Sequence, residues 1–208
     1  MTLALMLREG TKTSHRAAES TPFIQAFFAA KVSADAYREL LIRLYQVYTA
    51  LEHSFAEHQH HPVLGRLHSA ALARTTALES DLQFYYGDDW QHHIQPTPAT
   101  KTYVERIRTL AREWPLGLVA HHYTRYLGDL SGGQVLKRIA TKAFQLMDGR
   151  GVAFYEFPAI PNHDEFKAKY RATLDELALE SETAQKIVDE ANHAFHLNTQ
   201  LFTELQAN

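Results

Sequence analysis

The residues with the strongest chemical signal lie between Tyr123 and Gln134, in the run Tyr-Thr-Arg-Tyr-Leu-Gly-Asp-Leu-Ser-Gly-Gly-Gln. Gly128 and Gly132 stand four apart and so share one face of a helix. Without side chains, backbone there can touch a flat object directly and can kink. Asp129 offers one carboxylate beside this bare strip, with Leu127 and Leu130 nearby. A planar ligand with an acid poised above it is one reading; a close helix crossing through a Gly-xxx-Gly contact is the other. The segment sits inside a helical pattern set by Val119, Ala120, Tyr123, Leu127 and Leu130, and continued by Leu136, Ile139, Ala140 and Ala143. Three glycines in one helix cost about 3 kcal/mol relative to alanine. Against a net stability of about 5–15 kcal/mol, that predicts a compensating interaction.

Three other chemistries fail on the same residues. A phosphate loop needs Lys after its second glycine, and Gln134 follows Gly133. A serine nucleophile elbow needs Gly-x-Ser-x-Gly after a strand, whereas Ser131 follows Leu130 in a helix. The Gly-Asp-Ser-Gly-Gly loop of chymotrypsin-like proteases is interrupted here by Leu130 and lacks any β-barrel context.

Thirteen histidines raise the question of metal ligation. Haem iron takes one protein imidazole and leaves the opposite position open. His58, His60 and His61 cluster at a polar helix end and His92 and His93 flank a loop, which is ordinary surface placement. Glu57-His60 and Glu190-His193 match the Glu-x-x-His pairs of di-iron bundles, but both histidines fall outside the apolar stripes of their helices. His15 lies in a helix rich in small residues, with Glu19 one turn on, placed to accept the second ring N–H and fix the tautomer. Periodicity sets His15 at the margin of the apolar face, which permits a ligand without selecting it.

Helical periodicity dominates the elements that must position these groups. Tyr37, Leu40, Leu41, Leu44, Tyr48, Leu51 and Phe55 form an unbroken stripe, with Ser33 as N-cap and Val32 and Tyr37 as a hydrophobic staple. The Leu3–Leu7 run, followed by Arg8 and Glu9, starts a helix rather than a signal peptide. Further helices are expected from Pro22 behind Thr21, from Arg66 to Tyr86 with Gly87 as the stop, and from Thr97-Pro98 to Pro115. The next spans Leu116 to Met147 across the glycines. A packed loop over Asp148–Asn162 carries Phe154, Tyr155 and Phe157. Asn162 and Glu165 suggest a capping box for a helix through Leu177. Ser181 is placed to cap the last helix, with Ile187, Ala191, Phe195, Leu201, Phe202 and Leu205 on one face. No repeat, low-complexity tract or linker interrupts the chain. The expectation is one all-α, irregular multi-helix domain over residues 1–208.

The 208 residues, 45% of them hydrophobic, suffice for one core. Lys plus Arg total 21 and Asp plus Glu 24, a near-neutral balance that argues against a nucleic-acid binder. The absence of cysteine excludes disulfides, thiolate metal sites, iron–sulfur clusters and a cysteine nucleophile, and suits a reducing compartment. No apolar run is long enough for a membrane span. A cytoplasmic monomer without a membrane anchor is expected.

Tyr123 to Gln134, extended through Val135-Leu136-Lys137, resembles the distal-helix signature of the haem oxygenases. Thr11-Lys12, His15 and Ala18-Glu19 resemble the proximal-ligand helix of that family. Similarity continues through Leu44-Tyr45, Tyr48 and Ala50-Leu51-Glu52, through Leu78-Glu79, Asp81-Leu82 and Phe84 to Gly87, and through Phe166-Lys167 and Tyr170-Arg171. It extends to Phe195, Asn198 and Gln200 to Phe202, with details most like cyanobacterial and other bacterial forms. The resemblance implies a haem sandwiched between a proximal and a glycine-kinked distal helix, serving as both cofactor and substrate. Ring cleavage at the α-meso carbon would give biliverdin IXα, carbon monoxide and iron, using O2 and electrons from ferredoxin or a similar donor. By the same resemblance His15 is the axial ligand to the haem iron, and Gly128 and Gly132 lay backbone over the opposite face. Asp129 holds water that delivers protons, with Tyr48, Arg125 and Asn198 in or beside that network. Arg8, Lys12, Tyr123, Lys167 and Arg171 surround the propionates and set the rotation of the ring, and Glu19, Thr124 and Phe195 complete the pocket. Where many family members carry Lys, this chain has Arg8, keeping the charge but replacing an ammonium with a planar fork. Lys137, Arg138 and Lys142, beyond the glycines, form a candidate docking patch for an acidic ferredoxin. A non-catalytic haem carrier would share His15 but have no use for Asp129, and a helical interaction protein would use the glycines only to pack.

Overall fold

The computed structural model describes residues 1–205. Eleven α-helices follow one another among these residues: α1 (Leu3–Gly10), α2 (Lys12–Glu19), α3 (Pro22–Phe28), α4 (Ala34–Glu57), α5 (Leu64–Leu67), α6 (Thr75–Tyr86), α7 (Pro98–Glu113), α8 (Leu118–Asp129), α9 (Gly132–Ala143), α10 (His163–Asp175) and α11 (Ser181–Thr203). Short 3₁₀ turns at Ala70–Leu72, Trp90–His93, Pro115–Gly117 and Ala153–Tyr155 join them, and no strand occurs among the described residues. No helix there is long and apolar enough to cross a membrane.

The long helices α4 and α11 frame the molecule. The expected α4 stripe forms its core, with Tyr37, Leu41, Tyr48 and Leu51 all fully buried. Ser33 accepts from the Ala36 amide as its N-cap, and Val32 and Tyr37 are both buried. Thr97 caps α7 through the Thr100 amide, with Pro98 in the first turn. In α11, Ile187, Ala191, Leu197 and Leu201 are buried against α1, α7 and α8. Gly10 is what lets α1 reach α11: a Cβ there would lie 2.6 Å from Val188 Cγ1. The next residue, Thr11, turns its hydroxyl back to the Leu7 carbonyl at 2.7 Å and bends the chain into α2.

Several boundaries differ from the periodic reading, each for a tertiary reason. The expected helix from Arg66 is broken, because Glu52 of α4 accepts from the backbone amides of Arg74 and Thr75 and from the Thr75 hydroxyl. A carboxylate from another helix thus supplies the N-cap and starts α6 at Thr75. The expected Leu116–Met147 helix divides at Leu130–Ser131 into α8 and α9, so Gly132 and Gly133 fall in a first turn rather than mid-helix. Ser181 is the first residue of α11 and not its cap; Glu180 takes that place without a side-chain bond. Thr21 is not a side-chain cap either, since its hydroxyl donates to the Ala18 carbonyl. Asn162 caps α10 through the Glu165 amide at 3.1 Å, and α10 ends at Asp175, short of Leu177. Asp175 then reaches across to accept from the Ala4 amide of α1.

One buried ionic cluster ties α7, α8 and α11. Glu190 accepts from Arg106 Nε at 3.0 Å and contacts His121 Nε2 at 2.9 Å. Burial alone would raise the Glu190 pKa, but the bonds from His121 and Arg106 outweigh it and lower it to about 2. Burial likewise lowers that of His121, against the pull of Glu190. A carboxylate depressed in the native state stabilises the fold above its unfolded pKa of 4.5, and that contribution fades as pH falls towards about 2. Urea melts should therefore show stability falling progressively across this window. Glu190→Gln should be less stable at neutral pH yet show a flatter acid limb; an unchanged limb would show that the cluster does not carry the effect.

Candidate functional site

A cavity of ≈ 520 Å³ lies between α2 and the α8–α9 break, within the usual range for small-molecule sites. Ile24, Phe28, Leu40, Leu44, Leu136, Phe154 and Phe202 give it an apolar lining. Arg8, Lys12, Arg16 and Arg171 line it as cations, and Glu19 as an acid. Of the residues singled out from sequence, His15, Tyr123, Thr124, Arg125, Gly128, Asp129, Gly132, Phe195 and Asn198 also face it. Tyr48 does not reach the cavity and stands behind Asp129. Lys167 does not line it either. Its ammonium is held by Asp164 at 3.0 Å and by the hydroxyl of Ser131 at 3.2 Å, so it sits beside the rim rather than in it.

The glycine strip is bare towards the cavity. A Cβ on Gly128 or Gly132 would meet nothing within 4 Å, so no helix crosses there. Gly133 is different, because its Cβ would lie 3.4 Å from the Tyr155 ring. The break frees the Asp129 carbonyl, and Gln134 Nε2 donates to it at 3.1 Å while also donating to the Tyr155 carbonyl at 2.8 Å. This bidentate amide is part of the compensation that the glycines require. It joins α9 to the loop over Ala153–Tyr155, which periodicity could not resolve into a wall of the site. Asp81 pins that loop by accepting from the Ala153 and Phe154 amides, both at 2.8 Å. Burial raises the Asp81 pKa to about 6 against those two bonds. Arg74 donates to the carbonyls of Phe154 and Glu156, with its guanidinium 3.8 Å from the Phe157 ring centre. Arg74 was not singled out from sequence, and Glu190 was considered there with His193, not with its actual partners His121 and Arg106. Long buried charges on otherwise ordinary helices are visible only once their partners are.

The polar groups on the α8 side form one connected set. Asn198 of α11 accepts from Arg125 Nη1 at 2.6 Å, and Arg125 Nε donates to the Tyr48 hydroxyl at 3.1 Å. Tyr48 in turn donates to Asp129 Oδ2, whose other oxygen lies 3.9 Å from Arg125 Nη2. Burial raises the Asp129 pKa and outweighs Arg125, Tyr48 and Arg74, which all favour its anion. Burial also pushes the Tyr48 hydroxyl well above its ordinary value. In the Arg125 guanidinium, burial opposes the charge, but Tyr48 and Asp129 more than restore it. The wall beside them carries the Thr124 hydroxyl, buried and without a hydrogen-bond partner.

Across the cavity His15 Nδ1 lies 3.5 Å from Glu19 Oε2, a long contact that orients the ring more than it binds it. Phe195 meets the same ring edge-on at 5.4 Å. Nε2 makes no hydrogen bond among the described residues, so one imidazole nitrogen remains available for a ligand. The Glu-x-x-His alternatives do not converge: His60 and His193 are exposed, and Glu190 is committed to Arg106 and His121.

An apolar slot with a side-chain-free wall, a cationic mouth, one available imidazole and one buried acid defines a site for a flat, anionic, metal-bearing molecule. The profile of the Heme oxygenase family matches residues 1–204. Heme oxygenase 1 of Nostoc sp. is 48% identical, over 99% of this chain and 87% of its own length. Heme oxygenase 1 of Rattus norvegicus is 45% identical, over 99% and 72%. The crystal structure of heme oxygenase-1 from the cyanobacterium Synechocystis sp. in complex with heme superposes with a TM-score of 0.96 at 47% identity, covering 99% of this chain and 93% of that one. Heme oxygenase 2 from Chlamydomonas reinhardtii without heme gives a TM-score of 0.90 at 26% identity, covering 100% and 99%. The chain belongs to the haem oxygenase family.

The open space over Gly128 makes a prediction independent of any ligand. Gly128→Ala should fold normally and gain up to about 1 kcal/mol from helix propensity. Gly133→Ala, whose Cβ would come into contact with Tyr155 at 3.4 Å, should gain less. Denaturant melts of the ligand-free proteins test this, and a marked loss in Gly128→Ala would mean that the strip is packed and not bare.

Proposed function

We propose that this chain opens haem oxidatively at the α-meso carbon, giving biliverdin IXα, carbon monoxide and free iron, with O2 as oxidant and electrons from a ferredoxin or a similar donor. The observation that carries this reading is the pair of open Cβ positions at Gly128 and Gly132, in a cavity that also holds His15. The residues fit haem: apolar walls for a flat ring, Arg8, Lys12 and Arg171 for its carboxylates, and an imidazole for its iron. When bound, haem supplies both the metal at which oxygen is reduced and the ring carbon that is oxidised.

The chain's own groups supply the remainder. His15 would hold the metal through Nε2, with Glu19 limiting rotation of the ring. A neutral nitrogen ligand avoids the electron push of a thiolate, which this cysteine-free chain cannot provide. Gly128 and Gly132 let the ring edge lie against backbone, so that the reacting carbon is reached without steric obstruction. Asp129, its pKa raised by burial, holds or passes a proton at Oδ2 in concert with Tyr48, without itself ligating a metal. Arg125 and Asn198 fix that carboxyl in place, and the apolar lining excludes bulk water. Arg8, Lys12, Arg171 and Tyr123 orient the carboxylate edge, with Lys167 beside them, and Thr124 and Phe195 close the walls.

Electrons reach the site from outside. Arg138 and Lys142 are exposed on α9, whereas Lys137 is paired with Glu156 at 2.9 Å. The docking patch for an acidic donor is therefore weighted towards Arg138 and Lys142.

Asp129→Ala should bind hemin with a Soret band like the parent's, yet form biliverdin about 100-fold more slowly under reductant and oxygen. Parental turnover in that variant would refute the role of the acid, and a hemin-loaded parent that yields no biliverdin would refute the function. Charge reversal at Arg138 and Lys142 should raise the ferredoxin concentration for half-maximal rate about tenfold while sparing turnover with ascorbate. Equal ferredoxin dependence would remove the patch.

A further inference from the structure

The helix that carries Arg171 is joined to the glycine-bearing side of the cavity by a buried bond. α10 packs chiefly on α1 and α5, and within it Tyr170 and Leu174 are buried. The Tyr170 hydroxyl shares a hydrogen bond of 2.8 Å with Nδ1 of His122 on α8. His122 is 3% exposed, with its ring 4.4 Å from Phe55, 4.5 Å from Tyr126 and stacked parallel to Tyr170 at 5.5 Å. Burial, with a smaller contribution from His68, lowers its pKa to about 3, so the ring stays neutral and cannot serve as a proton donor at working pH. A buried, uncharged histidine on a catalytic helix, hydrogen-bonded to a single tyrosine, has a geometric task.

Sequence neighbours define that task. Tyr170 immediately precedes Arg171, which lines the cavity, and follows Lys167 by one turn. Lys167 touches Ser131 at the helix break. His122 immediately precedes Tyr123, which also lines the cavity, and stands one turn before Arg125. The bond therefore couples the position of the cationic rim to the position of the bare strip. A rim that shifts along α8 turns a carboxylate-anchored ring within its plane, and a quarter turn brings a different bridging carbon to the same backbone.

We infer that His122 and Tyr170 are a positioning pair whose hydrogen bond sets the register of the α10 rim against Gly128–Asp129, and so selects which ring carbon is attacked. The inference rests on the proposed haem-cleaving function and on Arg171 as an anchor for the carboxylate edge.

Tyr170→Phe and His122→Phe each remove the bond while keeping an aromatic ring in the core. Hemin titration by the Soret band, chromatography of the biliverdin isomers and thermal melts of the ligand-free proteins give three readouts. Each variant should fold, bind hemin about 3- to 10-fold more weakly, and yield a second isomer as about one-tenth or more of the product. The double variant should be no worse than either single, since both remove one shared bond. Parental affinity and a single isomer in both variants, with only a lowered melting point, would reduce the pair to packing and overturn the inference. Arg171→Ala separates the layers. Mixed isomers there beside a single isomer in Tyr170→Phe would leave the rim's role standing and remove the pair's. A single isomer in both would remove the rim's role and the inference with it. A parent that forms no biliverdin would fail the underlying function and the inference together.

Discussion

The break between α8 and α9 is the constraint on which the rest of the structure depends. A continuous helix would satisfy the Asp129 carbonyl with the amide four residues on and would hold the glycines in mid-helix, where they are most destabilising. Breaking at Leu130–Ser131 exchanges that ladder bond for the Gln134 side-chain amide, which reaches the Asp129 and Tyr155 carbonyls together. The loop that receives Gln134 must then be rigid in turn. Asp81 supplies two amide contacts to it and Arg74 two carbonyl contacts. Glu52 holds the Arg74 amide and the start of α6. A bare strip of backbone across the α8–α9 break is thus held by side chains from α4, α6 and α9 and from Arg74 just before α6.

The same economy governs the buried acid. Taking Asp129 out of water is unfavourable, and its neighbours only partly offset that cost, so its proton is held more tightly than an ordinary carboxyl's. Tyr48 both donates to Asp129 and accepts from Arg125, and Arg125 is held by Asn198. The Asn198 amide is itself oriented, because its nitrogen donates to the Ala194 carbonyl at 3.1 Å and leaves only its oxygen for Arg125. The carboxyl's position thus follows from α4, α8 and α11 at once. A change far along α11 can move the acid without touching it.

Periodicity and residue type made the helical class, the α4 stripe, the caps at Ser33 and Asn162 and the helix start at Thr97-Pro98 legible in the sequence. They also made the bare strip legible, because Gly128 and Gly132 are separated by one helical turn. His15 was permitted by its neighbours and singled out only by family resemblance, since a half-exposed imidazole carries no periodic signal. What stayed hidden has one physical origin. Glu52 starting α6, Asp81 pinning Ala153 and Phe154, and Gln134 spanning the break are contacts between groups distant in sequence or at an irregular turn, where local pattern carries no information. That Lys167 stands beside the cavity rim and not in its lining stayed hidden for a related reason. Helical spacing from Arg171 puts it on the right face but does not show that Asp164 and Ser131 have already taken its ammonium.

The two walls of the cavity differ in how they are built, and the difference suits a reaction whose product is less planar than its substrate. On one side α8 has 12 residues, of which only Tyr123 and Gly128 are not buried. On the other, α2 has 8 residues and buries only Ala18; it is bounded by the bend at Thr11 and the turn at Ser20. Its ties to α11 include the Ser14 hydroxyl on Asn192 at 2.6 Å and the edge of the Phe195 ring on His15 at 5.4 Å. Local opening is easiest where few apolar contacts are buried, so the proximal wall yields at lower free-energy cost than the distal one. The wall that holds the buried acid is welded into the core, while the wall that carries His15 is the less buried of the two and the one better suited to yield when a flat ring enters and an opened one departs.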